Sequence, residues 1–246
     1  MRVLVPLPDH DVDVTEVAVP WKLLTEAGHE VVFATERAGT VPEADPRLLD
    51  GVIFGRLGAA AEPKAFYREL TRTPAWRGTQ GGLDLRVDEV DPPLLPRGHA
   101  PRMRQYLGAP VLHHRVAEFW ALERPVAAIC HGVLVLARAT GADGRSLLAD
   151  RRTTCLPKYL ERTAFYATAW RLGRYYRTYP AYVEDEVRAA LDDPDRQFER
   201  GPRAGLRRGT RHDHGPAFVV EDGRYLSARW PGDAYLFAER LAAQLT

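Results

Sequence analysis

A strand, a helix and a second strand follow one another before residue 36, and this order limits the fold more than any other feature of the chain. Val3-Leu4-Val5-Pro6-Leu7 is a short apolar run that ends in the polar loop Pro8 to Asp13. From Thr15 to Ala27 the apolar residues Val17, Trp21 and Leu24 recur at helical spacing, and Gly28 supplies a stop signal. Val31-Val32-Phe33-Ala34 is the second apolar run. Two strands joined through a helix lie parallel with a right-handed crossover, so the chain is expected to be an α/β protein built on a parallel sheet.

The remaining segments extend that plan. Leu94-Leu95-Pro96 reads as a short strand opening into a loop at Gly98, with Pro92-Pro93 expected to break the strand before it. A helix is expected from Val111 to Leu122, strands at Pro125 to Ile129 and Thr153 to Leu156, and a helix from Glu184 to Leu191. Phe218 to Val220 and Tyr225 to Ser227 flank Asp222-Gly223, a favoured hairpin turn pair, and Ala234 to Leu245 forms a closing helix. Between Gly51 and Gly82 the pattern is less regular, with a helical piece from Glu62 to Thr71. We expect one domain over 1–246, with about 51–90 as an insertion or cap segment.

The bulk numbers exclude several classes. With 246 residues and 45% hydrophobic content the chain can bury a large core. A formal net charge of +1 argues against a nucleic-acid binder driven by overall charge. Two cysteines, Cys130 and Cys155, do not make a disulfide framework and suggest a reducing compartment. With charged residues from Asp9 onward no secretory leader is expected, and no run is long enough to span a bilayer. A cytoplasmic location is expected.

Ala128-Ile129-Cys130-His131-Gly132-Val133 carries the chemistry. It lies between the apolar run Pro125-Val126-Ala127 and the helical run Leu134-Val135-Leu136-Ala137. A cysteine on a tight strand-to-helix turn is the arrangement of a nucleophile elbow, which pushes the side chain out at the carboxyl edge of the sheet. The helix N-terminus there favours an anion, so the thiol is expected to be ionised and open to solvent. The competing reading is a small hydrophobe in the core.

On these residues the chain resembles the ThiJ/PfpI family, which shares the class I glutamine-amidotransferase-like fold and includes glyoxalase III and deglycase relatives. The likeness runs through Asp13-Val14-Thr15-Glu16-Val17, Leu95-Pro96-Arg97-Gly98-His99-Ala100-Pro101, the elbow, and Asp222 to Gly232. It implies a three-layer sandwich around a mostly parallel, flavodoxin-like sheet, with a small β-hairpin and inserted helical segments. It also implies roles. Cys130 matches the nucleophile. Glu16 matches an acid that contacts the sulfur, and a carboxyl group near a thiolate tends to stay protonated and can shuttle a proton; the alternative is a solvated Glu in a first helical turn. His131 matches the histidine that follows the cysteine. Its partner in a triad would be Glu161, whose alternative is a surface helix residue. Gly98 and His131 would give backbone N–H groups to an oxyanion hole. Family members usually carry two glycines where this chain has Arg97-Gly98, so Arg97 is expected either to narrow the pocket and select an anionic substrate or to impair activity; His99 and Trp170 are further pocket candidates.

The implied activity is cofactor-independent conversion of methylglyoxal to lactate by a glyoxalase-type enzyme. Alternatives on the same site are isonitrile hydration and peptide hydrolysis; a different class is a stress-response chaperone or redox sensor acting through oxidation of Cys130. A homodimer or higher homo-oligomer is implied, with no nucleic-acid or membrane partner. No His-x-Glu pair follows the cysteine, which argues against glutamine hydrolysis. His113-His114 and His212-Asp213-His214 fit no strong metal spacing, and neither a metal nor another cofactor is expected. Cys155 reads as core. Tyr166, Trp170, Tyr175, Tyr176 and Tyr179 read as packing of a cap or dimer surface, and the basic stretch Arg203 to Arg211 as a surface loop.

Overall fold

The computed structural model describes residues 1–52, 57–81, 91–96, 101–177, 179–205 and 207–246. Along the chain run β1 (Arg2–Pro6), α1 (Val14–Glu26), β2 (Glu30–Thr35), α2 (Pro46–Asp50), α3 (Ala61–Leu70), α4 (Pro74–Arg77), β3 (Gln80–Gly81) and β4 (Asp91–Leu95). They are followed by α5 (Arg104–Leu107), α6 (Pro110–Ala121), β5 (Val126–Ile129), α7 (Val133–Arg138), α8 (Lys158–Leu172), α9 (Val183–Ala189), α10 (Pro194–Gln197), β6 (Val219–Asp222), β7 (Tyr225–Ala228) and α11 (Ala234–Gln244). The sheet has seven strands in the order β3-β2-β1-β4-β5-β7-β6. Every pairing is parallel except β6 with β7. This is the mostly parallel α/β sandwich expected from the opening strand-helix-strand.

Successive side chains of a strand face opposite sides, so the sheet feeds two layers. On one face α1 packs against both α3 and α11. On the other, Phe119 of α6 closes over Leu4 and Ala34, and α7 lies against α6 and α9. The helix α1 begins where it should. Asp13 accepts hydrogen bonds from the N–H groups of Thr15 (2.9 Å) and Glu16 (3.1 Å), two of the orphan donors of the first turn. Gly28, at φ +85°, turns the chain out of the helix toward β2.

Three expectations are corrected. Pro92-Pro93 does not break a strand: both residues lie inside β4. The register there jumps from Val3 opposite Asp91 to Leu4 opposite Pro93, so the prolines sit at a bulge where ladder donors are not required. Thr153 to Leu156 is not a strand of the sheet; only Thr153 forms an isolated bridge, with Phe198. Side chains of β7 and its neighbours take the place of a ladder. The Thr153 hydroxyl pairs with the Tyr225 hydroxyl at 2.7 Å, and the Thr154 N–H donates to Ser227 Oγ at 3.1 Å. In the hairpin Asp222 pairs with Tyr225, which leaves Gly223-Arg224 as the two-residue turn instead of Asp222-Gly223. Gly223 holds φ +60° at the first turn position, where glycine is favoured.

The segment about 51–90 lies partly outside the described residues. Its described part contributes the edge strand β3 and the core side chains Phe66, Leu70 and Trp76. Trp76 stands edge-on to Phe33 with ring centres 5.2 Å apart.

Candidate active site

β5 is a run of four small or branched apolar residues, all buried, flanked by β4 and β7. Its last residue is followed by Cys130 at φ +60°, in the left-handed region that non-glycine residues seldom occupy. Such strain costs on the order of 1–3 kcal/mol and persists where the surroundings fix the backbone. Here Gly132 shows how tightly they do. A Cβ on Gly132 would stand 2.1 Å from the carbonyl oxygen of Leu95, the last residue of β4. Glycine at that position lets the one-turn 3-10 segment Cys130–Gly132 and then α7 start directly against β4.

The expected sharp strand-to-helix turn at Cys130 is present in the backbone, but the exposure of the side chain is not as expected. Cys130 has 0% of its surface exposed and His131 1%, and Cys130 belongs to the main hydrophobic cluster. The strand that delivers it is interior to the sheet, so the sulfur lies at the middle of the carboxyl edge and not at an open rim. Cys130 Sγ is 3.5 Å from His131 Nδ1.

Glu16 reaches the same edge from β1, which is separated from β5 by β4 alone. It is the third residue of α1 and is 0% exposed. Its backbone is held unusually. Asp13 takes its N–H, and Pro20, one turn on, has no N–H to return to the Glu16 carbonyl. Asp13 is itself buried, and burial pushes its carboxyl up to about 6; the N–H of Glu16, the charge of Arg208 and the N–H of Thr15 oppose that rise, and Asp45 adds to it. The folded protein thus favours the neutral Asp13. The stability this contributes is complete below the ordinary carboxylate range and is lost as pH rises through about 6.

Glu161 is buried at 2% exposure near the start of α8. No strand of the sheet leads to it, because Thr153 to Leu156 lies outside the sheet. The structure gives Glu161 a definite task. It accepts from the N–H of Val183, the first residue of α9, at 3.1 Å. In return Glu184, the second residue of α9, accepts from the N–H of Lys158, the first residue of α8, at 2.8 Å. The residues before these helices, Pro157 and Tyr182, provide no side-chain cap, so each helix is capped by a glutamate of the other. Arg200 holds Glu184 from the far side, its Nε donating at 2.7 Å. Glu184→Ala removes the cap of α8 and the anchor of Arg200, and is expected to lower stability by about 2 kcal/mol in urea unfolding. A midpoint equal to the parent's would show that the crossed caps contribute nothing.

Cys155 is a core residue. Burial, followed by the charges of Glu184, Glu161 and Asp185, pushes its thiol well above the usual range, so it stays protonated at neutral pH.

Arg97, Gly98 and His99 lie outside the described residues. Trp170 is 77% exposed on α8 and donates its indole N–H to its own helix at Ala167. Tyr166 is exposed beside it, whereas Tyr175 and Tyr176 are buried and meet edge-on at 4.8 Å. His113 pairs with the Leu107 carbonyl oxygen at 2.9 Å, and His214 lies 3.2 Å from Glu239. Among the described residues no group of three or more His, Cys, Asp or Glu could hold a metal ion. No described helix is long and apolar enough to cross a membrane. A largely apolar cavity of about 430 Å³ opens between α6 and the ends of β1 and β2, but Glu16, Cys130, His131 and Glu161 do not line it. The cavity thus lies apart from these residues, among which Cys130 at φ +60° is the strained backbone position. Sequence reasoning passed over Asp13 and Glu184. The spacing Asp13-x-x-Glu16 is a capping signature and could have identified the first; the crossed caps need two helices in contact and have no local signal.

A family model described as ThiJ/PfpI family-like matches residues 7–202. An uncharacterised protein of Schizosaccharomyces pombe is 28% identical over 249 aligned residues, covering 98% of this chain and 82% of that protein. A deglycase of Pyrococcus abyssi is 27% identical over 240 residues, covering 96% and 93%. Among solved structures, glyoxalase III of Candida albicans shares the fold with a TM-score of 0.72 at 19% identity, over 99% of this chain and 97% of that one.

Proposed function

The chain belongs to the ThiJ/PfpI family, and from that premise we propose that it is a cysteine-dependent enzyme acting on small electrophilic carbonyl compounds, converting methylglyoxal to lactate without glutathione. The observation that carries this reading is the buried Cys130 sulfur on a left-handed elbow beside His131. A relative named a deglycase and a structural neighbour named glyoxalase III support carbonyl chemistry.

In this reading the Cys130 thiolate adds to the aldehyde carbon of methylglyoxal while Glu16 protonates the aldehyde oxygen, giving a hemithioacetal. The Glu16 carboxylate then removes the hydrogen from that carbon and, through an enediol, returns it to the neighbouring carbon. The first carbon is oxidised and the second reduced, so no outside electron carrier is needed. The resulting thioester is hydrolysed by water to lactate and the free thiol. His131 orients the sulfur, its backbone N–H and that of Gly98 hold the developing oxyanion, and Glu161 is assigned as the acid behind His131. A homodimer belongs to the same proposal.

Full burial of the sulfur favours a substrate of a few heavy atoms over a peptide. Incubation of the protein with a panel of small aldehydes, isonitriles and peptide esters is expected to yield lactate from methylglyoxal and no peptide cleavage. Turnover of isonitriles or esters in place of every aldehyde would move the reaction to another class. Stoichiometric oxidation of Cys130 without any turnover would make it a sensor.

A further inference from the structure

We propose that the outer face of α8, with the loop docked at its head, is a binding surface for single-stranded nucleic acid: Tyr166 and Trp170 stack on bases, and Arg162, Arg171, Arg174 and Arg203 meet phosphates. The inference stands apart from the reaction proposed above.

The helix turns little of itself inward. Glu161 and Thr168 are its buried residues, whereas Arg162, Tyr166, Trp170 and Arg171 are exposed. Residues four apart share a helix face, so Arg162, Tyr166 and Trp170 form one stripe with a step of about 6 Å along the axis. Tyr166 is 64% exposed and Trp170 77%; among the described residues no other aromatic side chain is as exposed as these two. Both rings are held. The Arg162 guanidinium lies 6.0 Å from the centre of the Tyr166 ring, and the Trp170 indole N–H donates to the Ala167 carbonyl oxygen at 3.1 Å. A ring already fixed in place loses little freedom when a ligand settles on it.

The loop supplies the second part. The N–H of Ala204 donates to the Tyr159 hydroxyl at 2.7 Å, and the Arg203 guanidinium lies 5.9 Å from the centre of that ring. Tyr159 is the second residue of α8. The basic stretch from Arg203, which has no aromatic residue among its own arginines, is thereby joined to the helix that carries two exposed rings.

The charges on this face are not compensated. Elsewhere Arg138, Arg145, Arg152, Arg188 and Arg200 each hold a carboxylate. Among the described residues none pairs ionically with Arg162, Arg171, Arg174 or Arg203. A second copy of the chain docked through the same face would set these guanidinium groups against one another. A bilayer would attract the cations but needs a broad apolar face to insert, and here two rings stand among arginine, threonine and alanine. A single strand meets both features, with a phosphate at every residue and an accessible face on every base. A net charge of +1 over the whole chain does not exclude such a partner, because the exposed ionic side chains of this face are arginines.

The test is fluorescence anisotropy of a labelled oligothymidylate of about twelve nucleotides titrated with the full chain. Saturable binding is expected at low salt, with log K falling against log salt at a slope of about −2 to −3, as for three or four phosphates of a single strand. Trp170→Ala and Tyr166→Ala should each weaken binding about tenfold, and Arg171→Gln should make the slope shallower by about 0.7. Each ring variant removes an exposed side chain, so a thermal midpoint close to the parent's confirms that it is folded. The inference is overturned if the parent leaves the oligonucleotide unbound, if a duplex of equal length binds as tightly, or if the folded ring variants bind like the parent. Binding to phosphatidylserine vesicles without binding to the oligonucleotide would overturn it in favour of a membrane surface. Self-association that is lost in Trp170→Ala, again without oligonucleotide binding, would overturn it in favour of a second copy.

Discussion

Cys130→Ser is expected to reduce lactate formation from methylglyoxal by at least about a thousandfold while leaving the fold intact. The reason is chemical. A thiol is partly ionised near neutral pH and is intrinsically nucleophilic, whereas a serine hydroxyl needs a strong general base to attack a carbonyl. The substitution exchanges one small side chain for another at a buried position, so the backbone at φ +60° faces the same steric constraint in both proteins. Thermal unfolding within a few degrees of the parent would show that the fold has survived. Rates should be compared at saturating methylglyoxal, so that the change is read in kcat and not in binding. Parent-like turnover by the serine variant would end the cysteine mechanism, since no other cysteine can substitute: Cys155 is buried and held protonated.

Arg229→Ala is expected to destabilise the protein by about 3–5 kcal/mol, the cost of breaking a buried ion pair by removing one partner. Arg229 and Asp233 are both 0% exposed. The guanidinium reaches Asp233 through Nε and Nη2, both at 2.9 Å, and donates to the carbonyl oxygens of Pro202 at 2.5 Å and Pro216 at 3.2 Å. Asp233 in turn accepts the N–H groups of Phe218 and Arg229 at 3.0 Å. One side chain therefore ties the irregular stretch before β6 to the segment between β7 and α11. Truncation leaves carbonyl oxygens without their donor, a carboxylate without its cation, and a cavity. Burial already pushes the Asp233 carboxyl up against the pull of Arg229, so in the variant it will take up a proton more readily. The loss should accordingly be smaller at pH 5 than at pH 8. Urea unfolding at both values decides the point: a pH-independent loss below about 1 kcal/mol would show that solvent reaches the pair.

The outline of the fold was legible in short-range patterns. Helix α1 was framed by apolar spacing and Gly28, and the strand-helix-strand order implied the parallel sheet before any long-range contact was considered. The sharp turn at Cys130 was legible for the same reason, because strand, Cys130-His131-Gly132 and helix are consecutive. The failures share a cause. Pro92-Pro93 looks like a break until the bulge opposite Val3 and Leu4 is seen, and Thr153 to Leu156 looks like a strand until the hydroxyls of Tyr225 and Ser227 supply its hydrogen bonds. The strand expected to lead to Glu161 is absent as well, and the bond that Glu161 accepts from the N–H of Val183 joins two helix ends more than twenty residues apart.

Composition, period and turn chemistry settled which segments become strands and helices and put a thiol on a sharp turn, because those properties act over a few neighbouring residues. Depth was decided only by assembly. Whether Cys130 meets water, which helix end Glu184 caps and how strongly Asp13 holds its proton depend on groups that the chain brings together from distant positions, where packing and removal of water set the energies.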